Sequence, residues 1–175
     1  MRSRTSDWYE TKIRYEKTME DGMQKKITEQ YVVDALSFTE AENSIIEEMS
    51  SYISGEFKIT DIKHAAYHEI FFSDNMNDDK WYKTKLQFIT IDEKSEKEKK
   101  TAVNYLVQAS SLPMAVKHID EVMGSTQIDY VIASVAETMI MDVYEHNSAK
   151  KTVARNDVPE YAEPLNTEHN EGEQA

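Results

Sequence analysis

A tryptophan beside a tyrosine, with amines at alternate positions after it, occurs twice in this chain. The segments are Trp8-Tyr9-Glu10-Thr11-Lys12-Ile13-Arg14 and Trp81-Tyr82-Lys83-Thr84-Lys85-Leu86-Gln87. Alternate side chains of an extended strand share a face. Trp8, Lys12 and Arg14 therefore stand together, as do Trp81, Lys83 and Lys85. A ring beside amines is the chemistry that stacks a base and neutralises a phosphate. These six residues form the candidate ligand-binding set. The first reading of the pattern is nonetheless a packing role: each Trp fills the seam between two units or a homodimer interface, and lysine stems cover its edge.

The other residues able to do chemistry are more dispersed. His64 and His68 lie four apart, as two metal ligands would, but zinc needs a third ligand and a zincin motif places Glu next to its first His. They read as surface histidines. Asp74-Asn75-Met76-Asn77-Asp78-Asp79 resembles a calcium loop, except that Met76 stands where an oxygen ligand belongs and no Gly follows; a solvated acidic linker is the expectation. Glu137 and Asp142 are a loose carboxylate pair, as many structural acids are. The four glycines, at 22, 55, 124 and 172, form no phosphate-cradling loop, and there is no G-x-S-x-G elbow. Without cysteine the chain has no disulfide, thiolate metal site or Cys nucleophile. Met114, Met123, Met139 and Met141 read as core fillers. No catalytic residue, metal or cofactor is assigned.

The elements that must position these residues also come in pairs. Trp8 and Trp81 are 73 residues apart, and Tyr31-Val32-Val33-Asp34-Ala35-Leu36-Ser37 returns at an offset of 74 as Tyr105-Leu106-Val107-Gln108-Ala109-Ser110-Ser111. Phe38, Ala41, Ile45 and Met49 match Leu112, Ala115, Ile119 and Met123, and Glu69-Ile70-Phe71 matches Asp142-Val143-Tyr144. An internal repeat is architecture first. Each unit reads β-β-α-β. Its first strand alternates, with Tyr9, Thr11, Ile13 and Tyr15 on one face. Asp21-Gly22 supplies the first hairpin turn, whereas the run from Glu93 to Lys100 has no Gly and reads as a mobile loop. Ser37 with Glu40 forms a capping box in which each satisfies the other's free N–H. Pro113 suits a helix first turn, and Gly55 and Gly124 suit helix ends. The third element, from Phe57 to Phe71 and from Tyr130 to Tyr144, reads as one long bent strand, with helix as the alternative.

The expected fold is α+β: two pseudo-symmetric β-β-α-β repeats, an antiparallel sheet and helices packed on one face. A single domain spans 7–150, with repeat one at 7–73 and repeat two at 80–146. Residues 151–175 read as a disordered acidic tail dispensable for folding. Net charge is −13; residues 1–150 hold 18 Lys/Arg against 27 Asp/Glu, so the body is acidic without the tail. Phosphate affinity depends on clustered cations, so duplex DNA is not an expected partner. No apolar run reaches the roughly 18 residues of a membrane span, and no signal peptide is read at the start, which points to the cytoplasm.

The doubled Trp-Tyr-x-Thr-Lys, with Tyr-Val-Val-Asp-Ala-Leu-Ser-Phe-Thr-Glu-Ala-Glu at 31–42, resembles a family of uncharacterised bacterial and phage-encoded proteins classed as a domain of unknown function. The resemblance spans about residues 7–146 and implies no activity, cofactor or catalytic residue. Single-strand-binding proteins built from tandem sheet-plus-helix repeats offer a looser architectural analogy. The expectation is a non-enzymatic binding protein that engages a protein partner or its own copies. Recognition of a nucleotide or single-stranded nucleic acid through the Trp/Lys faces is the alternative, followed by an uncharacterised enzyme.

Overall fold

The computed structural model describes residues 1–146, so the expectation for 151–175 lies outside the described residues. In chain order the elements are β1 (Arg2–Arg4), β2 (Trp8–Thr18), β3 (Gln24–Asp34), α1 (Phe38–Tyr52), β4 (Phe57–His64), β5 (Glu69–Phe72), β6 (Lys80–Ile91), β7 (Glu98–Ala109), α2 (Leu112–Met123), β8 (Asp129–Glu137) and β9 (Ile140–Tyr144). The protein is α+β, with two sheets in which antiparallel pairs dominate. Trp8 and Trp81 begin the corresponding strands β2 and β6. The first hairpin turns at Gly22 with φ +80°, the left-handed conformation that Gly adopts without a Cβ penalty.

The third element of each repeat is two strands, not one. β4 pairs antiparallel with β2, but the chain then breaks at Ala65–His68 and β5 pairs parallel with β7, in the other sheet. Repeat two does the same in reverse: β8 pairs with β6, and β9 pairs parallel with β3. The crossings are built alike, since the Ala65 amide donates to the Trp8 carbonyl at 2.8 Å and the Thr138 amide to the Trp81 carbonyl at 2.9 Å. Each unit is thus β-β-α-β-β, and its last strand completes its neighbour's sheet. The resulting orders are β1-β5-β7-β6-β8 and β4-β2-β3-β9. Aromatic rings lock both exchanges: Tyr144 stacks on Tyr31 at 5.7 Å, and Phe71 on Tyr105 at 5.2 Å.

Each helix covers the outer face of its own sheet. Ala41, Ile45 and Met49 of α1 pack on Tyr9, Ile13 and Val33. Ile119 and Met123 of α2 pack on Leu86, Tyr105 and Val107, and Ala115 on Tyr82 and Ala109. The inner faces meet at Trp8, Val32, Ile70, Trp81, Leu106 and Val143. Phe38, the first residue of the α1 stripe, remains exposed at the rim, edge-on to Tyr9. At the cap of α1, Ser37 Oγ accepts from the Glu40 amide as expected, and the Glu40 carboxylate accepts from the Leu36 amide at 3.2 Å. Neither helix ends on a left-handed Gly; α1 is capped by Ile53, and Gly124 caps α2 with φ −62°.

Candidate functional site

The structure separates the tryptophans from the cations beside them in sequence. Trp8 is 0% and Trp81 2% exposed, both in the seam between the sheets. Phe72 contacts both rings, at 6.4 Å from Trp8 and 5.6 Å edge-on to Trp81. Arg2 lies over Phe72 at 4.3 Å, and Arg4 lies 5.8 Å from Trp8 while pairing with buried Asp34 at 2.5 Å. The ring faces are therefore covered, which removes Trp8 and Trp81 as base-stacking surfaces. Lys12 is half-buried, and Arg14, Lys83 and Lys85 are exposed. They lie further along the same inner faces, beyond the point where the sheets touch. The physical reason is area: burying an indole removes far more apolar surface from water than leaving it beside a lysine does.

The histidines part company at the strand exchange. His64 ends β4, edge-on to Tyr9 and 3.8 Å from Asp7, whereas His68 lies edge-on to Tyr105 in the other sheet. Among the described residues no group of three or more His, Asp or Glu could hold a metal ion. The acidic segment between the repeats is solvent-exposed except at Asp78, and bonds donated by the Asn75 and Asn77 amides to the Ser73 and Asn75 side chains fold it as a turn. Asp78 is 2% exposed and accepts from the Ser73 hydroxyl, with His118 Nε2 at 3.7 Å. The second hairpin tip is likewise ordered by one side chain. The Asp92 carboxylate accepts from the Lys94 amide at 3.1 Å and the Ser95 hydroxyl at 2.9 Å. Those two bonds, the backbone one first, hold its carboxyl below the usual range.

Met139, just before β9, and Met141, within it, are not core fillers; they are 76% and 51% exposed. β9 is the edge of its sheet, whereas its counterpart β5 is covered by β1, with Arg2 opposite Phe72 and Arg4 opposite Ile70. No described strand takes the place of β1 on β9. Partial burial, and then the Glu48 charge, hold the Asp142 carboxyl on that edge above its ordinary range.

At the far end of the same sheet a concavity of about 910 Å³ is lined by Arg14, Tyr15, Glu16, Lys26, Glu56, Phe57 and Lys58. Arg14 was visible in the sequence as part of the alternating strand. Lys26 and Lys58 join it only through pairing register, with Arg14 opposite Lys58 and Glu16 opposite Lys26. No local spacing encodes that register.

No curated protein and no solved structure matches this chain. The model of one family, described as Domain of unknown function (DUF4494), matches residues 7–146, all but the first six of the described residues. Those bounds run from the residue before the first Trp to two residues past the exchanged strand β9 and so take in both repeats, and the chain belongs to that family.

Proposed function

We propose that the protein is a non-enzymatic interaction module that receives an extended segment of a partner protein on the outer edge of β9. The supporting observation is the asymmetry of the two sheets: β1 pairs on the outer edge of β5, and no strand among the described residues pairs on that of β9. An edge strand offers a row of backbone donors and acceptors to another chain. β1 is the template for the occupant, an antiparallel strand with cations at alternate positions. A cation there would meet Asp142, whose carboxyl is already raised by burial and by Glu48. Exposed Met139 and Met141 supply a deformable apolar margin. Self-pairing of two β9 edges is less favoured, because each body carries an excess of acids.

Selection from a random peptide library, followed by amide exchange on the complex, tests this reading. The expected outcome is enrichment of extended peptides with alternating basic residues, and slowed exchange confined to β9. Met141→Lys should weaken the selected peptides about tenfold or more, since a charge on an edge opposes strand addition. Peptides that bind Met141→Lys as well as the parent protein would refute the β9 edge. Light scattering that reports a dimer dispersed by the same substitution would place self-pairing there instead.

A further inference from the structure

We propose that the concavity at the ends of β2 and β4 is a binding site for the phosphoryl group of a small organic phosphate of nucleotide size, held by Arg14 and Lys58 with Lys26 beside them. Arg14 and Lys58 are direct cross-strand partners. Such partners have Cβ atoms about 5 Å apart, and like charges there are destabilising. The strand on the other side of Arg14 offers Thr28, not an acid. Among the described residues neither Arg14, Lys26 nor Lys58 makes an ion pair. Glu16, opposite Lys26, and Glu56 also line the concavity, which leaves three cations against two carboxylates inside a body where acids outnumber bases.

The other repeat shows that the fold does not need these charges. At the positions matching Arg14 and Lys58 it has Gln87 and Val131, paired with each other in the same register. One repeat therefore keeps an unfavourable cationic pair that its twin lacks. A bound dianion removes that repulsion: the guanidinium fork takes two phosphoryl oxygens and the lysine acts as a point charge. The volume, about 910 Å³, exceeds that of an inorganic phosphate and is of the size that encloses a small organic ligand. Tyr15 and Phe57, the strand neighbours of Arg14 and Lys58, turn to the helix-covered core and hold the two strands beneath the cations in place.

Titration calorimetry and amide chemical shifts at low salt, with inorganic phosphate, nucleoside monophosphate and triphosphate, and a short single-stranded oligonucleotide as probes, test the site. Arg14→Gln and Lys58→Val copy the twin repeat and so should fold, and Lys85→Gln serves as the control on the other sheet. The expected result is salt-sensitive binding of the nucleoside phosphates, with shifts at residues 14, 26 and 58. Each of the two site variants should weaken it about tenfold or more, as loss of a charged hydrogen bond does, without lowering the thermal midpoint. Binding unaltered by either variant, or no shift with any nucleoside phosphate, would overturn the assignment. Binding of the oligonucleotide alone would also overturn it, in favour of an extended nucleic-acid surface. None of these readouts depends on β9, so the two proposals fail separately.

Discussion

Glu29 is a buried charged residue whose match in the other repeat is apolar. It is 8% exposed and accepts from the Tyr15 hydroxyl at 2.9 Å and the Tyr31 hydroxyl at 2.5 Å. Repeat two carries Val103 and Phe88 where repeat one has Glu29 and Tyr15, and both pack into its helix–sheet core. A buried carboxylate that loses a donor costs about 1–3 kcal/mol, whereas replacing both partners by apolar groups is nearly neutral. Tyr15→Phe should therefore destabilise by about 1–3 kcal/mol. Tyr15→Phe with Glu29→Val should cost less than the two singles combined, with a coupling of about 0.5–3 kcal/mol; strict additivity in urea unfolding would contradict this. The tyrosines also set a pH limit. Burial, then the hydrogen bond to Glu29, raises the Tyr31 hydroxyl well above its ordinary range; burial, then the Asp142 charge, pushes Tyr144 up to about 12. A raised acid favours the folded state while it is neutral. That contribution is complete below about pH 10, the ordinary tyrosine value, and for Tyr144 is lost as pH climbs to about 12. Unfolding free energy measured across that window should fall, and less steeply in Tyr144→Phe.

At the scale of elements, the two hairpin tips solve one problem with different residues. The first uses Gly22 at φ +80°, whereas the second places Glu96 at φ +53°. A side chain in that region costs on the order of 1 kcal/mol unless local hydrogen bonds offset it. Gly22→Ala should lower the thermal midpoint, and Glu96→Gly should leave it unchanged or raise it, because the Asp92 bonds that shape the tip remain. A clear destabilisation by Glu96→Gly in calorimetry would show that its side chain contributes to the turn. Ser37→Ala removes the cap of α1 and should cost about 1 kcal/mol. Such tips and caps were readable from sequence where a specific residue type is needed, as at Gly22 and Ser37. The tip at Glu96 was not, because its order comes from one aspartate that any polar loop could contain.

The whole molecule is held by the exchange of β5 and β9. Neither sheet is complete within its own repeat, and Phe72 of repeat one lies between both tryptophans. The two halves should therefore unfold together. Tryptophan fluorescence, which reports the seam, and far-ultraviolet circular dichroism, which reports the sheets, should give coincident denaturant transitions. Two separated transitions would mean that the repeats are independent despite the exchange.

The sequence by itself determined the repeat, the α+β class, the strand that begins at each Trp and the face each strand turns to its helix. All of these rest on interactions within about one hairpin or helix, where period and capping chemistry are written locally. Tertiary structure alone decided that Trp8 and Trp81 face inward, that β5 and β9 change sheets, and that Arg14 meets Lys58. Alternation places Trp8 and Lys12 on the same face but cannot say where along it the second sheet docks. Buried area settles that question, and only the assembled pair of sheets has the area to bury.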